Sequence, residues 1–323
     1  MRRRFVLGCL AALFSVTAAA QGYPTKPIKL VVGYAAGGPT DVIARLIAQD
    51  MSATLGQGVV VENKTGANGL IGTQEVKRAS PDGYTVLMTT LSHNVNALLL
   101  KDKAQYDPIK DFAPIGLVCV LPLVLVTGAD SPFNSVQDLV KGAKGKPGDV
   151  TYASAGNGGS AHLAGALLET LSGTKMTHVP FRGNAPALTE VMAGRVSFMF
   201  YPMVGIAEHV AQKRLKALAV STEKRHPDYP NAPTMSESGF RGFEHHTQGL
   251  GLVAPAGTPA PAIKKLNEAM RASLSKPETQ QKLKTLGAIT GGANSPEEFR
   301  QWLQGDAERW TRVIKTAGVK AEE

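Results

Sequence analysis

Cysteine is almost absent from this chain of 323 residues, which contains only Cys9 and Cys119. Cys9 follows a glycine, as in lipoproteins, but it lies too early, within the N-terminal apolar run, for lipid attachment. If that run is removed on export, Cys119 is left alone and no disulfide bond can form within the chain. Because Cys119 sits in an apolar stretch, we expect it to be a small buried hydrophobic residue.

Long apolar runs are also missing, except at the N-terminus. Arg2–Arg4 precede an apolar run at Phe5–Val16, and Ala18–Ala20 supplies the small residues that a signal peptidase requires. This pattern predicts a secretory signal peptide at residues 1–20, cleaved after Ala20. The run is too short for a membrane anchor, and no other segment is long and apolar enough. We therefore expect an exported, soluble mature chain.

Beyond Arg2–Arg4, charge of one sign is not concentrated anywhere in the sequence. The formal net charge is +9 at pH 7 and aromatic residues make up 6% of the chain, but lysines and arginines are scattered and seldom alternate with aromatic residues. This distribution argues against a nucleic-acid partner. A mildly positive field would attract anionic small molecules, although a solvated basic surface accounts for the composition equally well.

Recognisable catalytic and metal-binding motifs are missing as well. The seven histidines show no spacing typical of a metal site. Neither Ser154 nor Ser160 lies in the Gly-x-Ser-x-Gly sequence of a nucleophile elbow. The stretch Gly156–Ala161 resembles a dinucleotide fingerprint but lacks the acidic residue expected roughly 20 positions later. We therefore expect no catalysis, metal or cofactor, and keep His93 and His162 as candidate cleft residues.

The clearest feature that is present is a strand, a glycine turn and a helix start. An apolar run at Ile28–Val32 predicts a buried strand that leads into the turn Tyr34–Gly38. Gly38 suits an N-cap, Pro39 suits the first helical position, and Asp41 falls in the first turn. Such a junction directs unpaired backbone N–H groups and the positive end of a helix dipole at one place. It therefore predicts a site for a small anion.

A second junction of the same kind occurs later in the chain. A strand at Val150–Ala153 runs into the glycine loop Ser154–Ser160, and a helix with leucines on one face follows until Gly173. One glycine loop is weak evidence, because many α/β proteins need tight turns for packing. Two such loops in equivalent places indicate a shared role in binding.

Strands alternate with helices along the chain, which predicts an α/β fold with parallel, doubly wound sheets. Two apolar stretches, Ile115–Val126 with an internal proline and Gly249–Ala254, are predicted to cross between two lobes. Hinges are expected at Leu121–Pro122 and near Thr247–Gly249, with ligand bound in the cleft between the lobes. The predicted domains are a signal peptide at 1–20, a first lobe at 21–121 with 249–323, and a second lobe at 122–248.

Seven short motifs are spread in order along the chain: Ala36–Asp41, Pro81–Tyr84, Tyr106–Phe112, Ser154–Gly158, His178–Phe181, Ala185–Leu188 and Leu252–Pro259. Together they resemble those of the Bug family, the periplasmic solute-binding proteins of tripartite tricarboxylate transporters. The resemblance implies a two-lobed periplasmic binding protein of type II, a Venus flytrap, that binds a small carboxylate without catalysis. It also implies a periplasmic location and permease subunits in the membrane as partners. We expect a monomer.

The resemblance further implies which residues meet the ligand. In the first lobe they are Tyr34, Ala35, Gly38, Thr40 and Asp41, acting partly through ordered water and backbone groups. In the second lobe they are Ser154, Ala155, Asn157, Gly158, Ser160 and His162. The candidate set also contains Gly37, Ser92, His93, Arg182 and Tyr201. Because the charge of Asp41 would repel a carboxylate, we expect its side chain to brace the first loop instead.

Two positions depart from the family pattern. Tyr201 stands where an acidic residue is common, and Gly249 stands where a bulky aromatic residue is common. If both face the cleft, an aromatic or medium-length carboxylate fits better than an amino acid. Alternatively, Tyr201 packs against the hinge and Gly249 has no ligand role. Two other functions stay open, a receptor that presents ligand to a sensor protein and a hydrolase on a similar fold.

Overall fold

The computed structural model describes residues 22–245, 247–291 and 294–319, so the predicted signal peptide lies outside the described residues. The strands are β1 (Ile28–Val32), β2 (Val59–Asn63), β3 (Thr85–Thr89), β4 (Phe112–Gly128), β5 (Thr151–Ser154), β6 (Thr177–Pro180), β7 (Met199–Pro202), β8 (Leu215–Val220), β9 (Thr247–Pro255) and β10 (Ile289–Thr290). The helices are α1 (Pro39–Leu55), α2 (Leu70–Arg78), α3 (Ser92–Leu99), α4 (Lys101–Ala104), α5 (Val136–Gly145), α6 (Ser160–Ser172), α7 (Asn184–Met192), α8 (Ile206–Ala211), α9 (Ala260–Ser275), α10 (Pro277–Thr285) and α11 (Pro296–Ala317). None of the helices in these ranges combines the length and the apolar character that crossing a bilayer requires.

Strand β4 belongs to both lobes. Its first part pairs with β9 and β10, and its last part, from Leu123 onward, pairs with β7 and β8. The partners change next to Pro122, which lacks an N–H group but whose carbonyl accepts a hydrogen bond from the Met203 amide at 2.9 Å. Proline is tolerated there because this strand position leaves no donor unpaired. The strand is longer than the predicted Ile115–Val126.

The sheet of the first lobe is mixed, whereas the sequence pattern predicts a parallel one. Its order is β10-β4-β9-β3-β1-β2. Strand β1 runs parallel to β2 and β3, but β9 is antiparallel to both β3 and β4. The physical reason is that the chain leaves the first lobe along β4 and returns along β9. Two neighbouring strands that cross the same boundary in opposite senses must be antiparallel.

Each lobe has its own apolar core. Residues of β1, α1 and α9 form the main core of the first lobe, and residues of β7, β8, α5 and α6 form that of the second. Phe198 and Phe200 are fully buried in the second core, as are Ile43 and Ile47 in the first. Fully burying a side chain of this size contributes about 1.5–3 kcal/mol. Each lobe can therefore move as a packed unit.

Helix α11 touches both lobes, whereas the predicted domain bounds assign residues 249–323 to the first lobe. It begins with a capping box between Ser295 and Glu298, and its first half packs into the first lobe through Phe299. Trp310 then lies among α3 residues and Leu163 of α6, and the last turn reaches the second core. The helix is therefore a third link between the lobes, beside β4 and β9.

Candidate functional site

Two cavities that share Tyr34, Asn68 and Ala155 in their linings lie between the lobes. The larger, which we call the outer cavity, has a volume of about 370 Å³ and is lined by Gly33, Tyr34, Gly66, Ala67, Asn68, Gly69, Leu100, Lys103, Ala155, Gly156, Asn157, Pro180, Phe181 and Arg182. The smaller, which we call the inner chamber, has a volume of about 10 Å³ and is lined by Tyr34, Asn68, Thr90, Leu91, Ala155, Gly159, Ser160, Ala161, Asn184 and Gln248. Both lobes supply residues to both cavities, as expected of a cleft that closes on a ligand.

Asp41 braces the first glycine loop, as the sequence predicts. Its carboxylate accepts hydrogen bonds from the Gly37 amide, from Arg45 Nε and from Asn63 Nδ2, each at 2.9 Å. Asn63 Nδ2 also donates to the Tyr34 carbonyl. Burial would raise the pKa of the Asp41 carboxyl, but these hydrogen bonds together hold the pKa below its ordinary value. The Asp41 carboxylate therefore stabilises the loop through these three hydrogen bonds.

Tyr34 is the polar centre of the first lobe's side of the cleft. Its hydroxyl lies 2.8 Å from Ser92 Oγ, 3.0 Å from Asn68 Oδ1 and 3.1 Å from Thr90 Oγ1. Burial raises the pKa of Tyr34, while its hydrogen bonds with Ser92 and Thr90 oppose the shift, so the hydroxyl stays neutral. Asn68 was not predicted as a site residue. Its backbone is left-handed, with φ of 51°, and it lies between Gly66 and Gly69. The two glycines are the sequence signal that could have marked this turn.

Two histidines, His162 and His178, form hydrogen bonds with residues of the second glycine loop. The Gly158 amide donates to His162 Nδ1 at 2.9 Å. Ser154 Oγ lies 2.6 Å from His178 Nε2 and accepts from the Gly156 amide at 3.0 Å. The two imidazoles stack with their centroids 4.0 Å apart. Burial, with a smaller electrostatic contribution from the neighbouring His162, lowers the pKa of His178 to about 3. Ser154 and His162 thus support the loop, whereas Ala155 and Asn157 line the outer cavity.

The lobes are in contact in this structure. A Cβ atom built on Gly156 would lie 3.3 Å from Asn68 Cβ, and one built on Gly183 would lie 3.0 Å from Ala35 Cβ. Both glycines have positive φ angles, 131° and 146°, so other residues would be strained there. Predicted site residue Ala35 therefore faces the second lobe directly. Predicted Gly158 also faces the first lobe, through Val95.

The charged residues that line the outer cavity are both basic. Lys103 comes from α4 in the first lobe, and Arg182 follows β6 in the second. No aspartate or glutamate is among the described residues that line either cavity. Leu100 and Phe181 add apolar surface beside the two cations. Arg182 was predicted from the sequence and Lys103 was not. The arrangement suits an anion with a hydrocarbon body.

Gln248 connects the two glycine-loop helices at the inner chamber. Its Nε2 donates to Thr40 Oγ1 at 3.3 Å, and its Oε1 accepts from Ser160 Oγ at 3.2 Å. Thr40 lies in the first turn of α1, and Ser160 is the first residue of α6. Thr40 and Ser160 were predicted as site residues, and the structure brings them together through a side chain that was not.

His93 is not a cleft residue, contrary to the prediction. Its Nε2 lies 2.8 Å from the Pro108 carbonyl, and its ring packs against Tyr106 and Phe112. Burial lowers the pKa of His93 to about 4. The side chain points beneath α3 because that face of the helix is covered by the segment around Tyr106. His93 is a core histidine that fixes this segment.

The interpretation of Tyr201 and Gly249 as cleft residues is wrong. Tyr201 is 4% exposed and belongs to the second core, and burial raises the pKa of its hydroxyl. A Cβ atom built on Gly249 would collide with the indole ring of Trp302. The small residue therefore makes room for Trp302 of α11, and Gly249 is not among the residues that line the two cavities.

Comparisons with known proteins give a consistent answer. Residues 43–319 match the family model described as the tripartite tricarboxylate transporter family receptor. The structure of the periplasmic binding protein BugD is similar, with 37% identity, a TM-score of 0.88, and coverage of 93% of this chain and 100% of BugD. Two further structures are 33% identical. Rpa4515 of R. palustris, solved with adipate, has a TM-score of 0.87 with 92% and 99% coverage, and MatC from Rhodopseudomonas palustris, with bound malate, has 0.86 with 90% and 100%.

Proposed function

Because the chain belongs to the tripartite tricarboxylate transporter receptor family, we propose that it captures a small carboxylate in the outer cavity, between its two lobes. It is a solute-binding receptor with the two-lobed periplasmic binding fold, and the resemblance to the Bug family is confirmed. One observation carries the choice of ligand: among the described residues, Lys103 and Arg182 line the cavity and no acidic residue does. Adipate and malate are the ligands in the two solved relatives.

Binding follows from closure of the lobes on an anion. Lys103 and the Gly66–Gly69 turn contribute from the first lobe, and Arg182 with the loop at Ala155–Asn157 contributes from the second. An anion that touches both sides offsets the repulsion between the two cations and so favours the closed arrangement. The apolar sides of Leu100 and Phe181 accept a hydrocarbon chain. A dicarboxylate of medium length meets all of these groups.

The cavity lining also disfavours amino acids as ligands. An ammonium group needs a carboxylate or several acceptors when it is desolvated, and the described lining offers no acidic side chain. The preference for a carboxylate without an amine therefore rests on this lining. Tyr201 and Gly249 no longer support it, because neither residue faces the cleft. The receptor role also makes catalysis unnecessary, so we propose a binding protein and not an enzyme.

Location and partners complete the proposal. A signal peptide cleaved after Ala20 would deliver a soluble monomer to the periplasm, where the loaded receptor would dock on the permease subunits of a tripartite transporter. The family membership supports this partner. A receptor that presents its ligand to a sensor protein is the alternative, because a permease and a sensor would each bind the same closed form.

The first test measures binding to this cavity. Adipate, malate and succinate should each raise the melting temperature of the mature protein, since ligand at 100 times its Kd adds roughly 2.7 kcal/mol. Lys103→Ala and Arg182→Ala should weaken dicarboxylate binding by about tenfold or more in calorimetry, because each removes a charge-assisted contact. Lys101→Ala is the matched control, because Lys101 lies on the same short helix and does not line the cavity. Equal loss in the control, or no binding by the wild type, would contradict the proposal.

A further inference from the structure

Asn184 lines the inner chamber and carries an unused hydrogen-bond acceptor. It is the first residue of α7 and only 7% of it is exposed. Its Oδ1 is buried and has no hydrogen-bond partner among the described residues. Buried polar atoms nearly always have a hydrogen-bond partner, and a buried polar atom without one lowers the stability of the folded protein. An unpaired oxygen on a residue that lines a chamber beside the outer cavity is explained if the ligand supplies the donor.

The chamber restricts what that donor can be. Its volume of about 10 Å³ is near the lower limit for a single water molecule, so only one small polar group fits. The chamber adjoins the outer cavity and shares Tyr34, Asn68 and Ala155 with it. A group that reaches Asn184 must therefore branch from a ligand whose main body stays in the outer cavity.

An ammonium group is a poor candidate for this place. Within the described part of the chain no acidic side chain lines the chamber, and the carboxylate of Asp41 already accepts from Gly37, Arg45 and Asn63. Lys103 and Arg182 also make the adjoining cavity positive, which repels a cation. A hydroxyl group carries no charge, donates one hydrogen bond and accepts others, so it matches both Asn184 and the surrounding hydroxyls.

We propose that Asn184 determines specificity by accepting a hydrogen bond from a hydroxyl group next to a carboxylate of the bound ligand. The preferred substrate class is then the 2-hydroxy dicarboxylates. This inference rests on the proposed function, because it assumes that a carboxylate occupies the outer cavity. A site that hydrogen-bonds a ligand hydroxyl discriminates strongly against the analogue that lacks it, because the buried acceptor is then left unpaired.

The test compares malate with succinate, which differ only in the hydroxyl group. We expect the wild type to bind malate at least tenfold more tightly in calorimetry. Asn184→Leu, which keeps the approximate shape and removes the acceptor, should bring the ratio of the two Kd values close to one. Asn184→Asp keeps an acceptor, so it should preserve a preference for malate while weakening both ligands through its charge. Thr189→Val, on the exposed face of the same helix, is the control and should leave the ratio unchanged.

Failure of this inference differs from failure of the proposed function. If the wild type binds no dicarboxylate, the proposed function is wrong. If it binds malate and succinate equally, or if Asn184→Leu keeps the wild-type ratio, the role of Asn184 is wrong and the proposed function stands. If aspartate binds more tightly than malate, the chamber accepts an ammonium group in preference to a hydroxyl group, and the inference is overturned. Should Asn184→Leu not fold, Asn184→Asp and Asn184→Ala provide the comparison.

Discussion

At Gly38 the site needs a close approach of the backbone. Its φ of −79° is open to any residue, but a Cβ atom there would lie 3.3 Å from the Ala35 carbonyl oxygen and 3.9 Å from the Ala185 amide of the other lobe. The methyl groups of Gly38→Val would extend into that interface and hold the lobes apart. We expect binding to fall at least 100-fold with little change in melting temperature.

Calorimetry with dicarboxylates, beside thermal melts, measures this effect. Gly305→Val is a suitable control, because Gly305 lies in α11 with open space around it. Wild-type affinity in the Gly38→Val variant would remove the first loop from the binding site.

His93 makes stability depend on pH. Because burial lowers its pKa to about 4 from an ordinary value of 6.5, the unfolded chain takes up a proton more readily than the folded protein. The stabilisation is complete above pH 6.5 and is lost progressively as the pH falls toward 4. A shift of this size corresponds to about 3 kcal/mol.

The measurement is denaturant unfolding at several pH values between 7.5 and 4. The His93→Gln variant keeps a donor for the Pro108 carbonyl but has no group that titrates, so its free energy of unfolding should decline less steeply in this interval. The contribution of His178 is common to both proteins and cancels. Parallel pH profiles would show that His93 does not carry the effect.

Among the elements, strand β9 shows how far the sequence could lead. Its apolar run predicted a crossing strand, and the structure contains one. The run did not reveal which side chains face the cleft, since successive residues of a strand point to opposite faces. Gln248 points to the chamber, and Gly249, its neighbour, packs under Trp302. A comparison of motifs selected the right strand and the wrong residue.

The glycine loops and their helices were predictable for local reasons, and the groups that meet them were not. Gly38, Pro39 and Gly173 mark helix ends by their own conformational preferences. Asn184 and Gln248 become visible only when distant segments are packed together, because no local pattern distinguishes a cleft amide from a surface amide.

The contacts of Gln248 lead to a prediction about lobe closure. Gln248→Leu removes the hydrogen bonds to Thr40 and Ser160, so the two helix starts lose their common link. The ligand-free protein should become more open in small-angle scattering. Affinity should fall by a similar factor, about tenfold, for adipate, malate and succinate alike, because the change acts on closure and spares the ligand contacts.

Gln137→Leu serves as the control. Gln137 lies on α5, away from the cleft, and its Nε2 donates a hydrogen bond to the Ser238 carbonyl. An unchanged scattering profile would contradict the role in closure. A loss confined to one ligand would mean that Gln248 contacts that ligand directly.

For the whole molecule, the position of β9 has a consequence for the order of folding. This strand lies between β3 and β4 in the sheet, and Asp50 of α1 is held by Ser273, Lys276 and Thr279, more than 220 positions later. During synthesis, β3 and α1 therefore cannot complete these contacts until β9 and residues 273–279 have left the ribosome. Most of the second lobe's core comes from strands and helices between β4 and β9, so it emerges earlier, and the end of α11 joins it last. We expect the second lobe to fold first, and the many long-range pairings of the first lobe to make the final assembly slow.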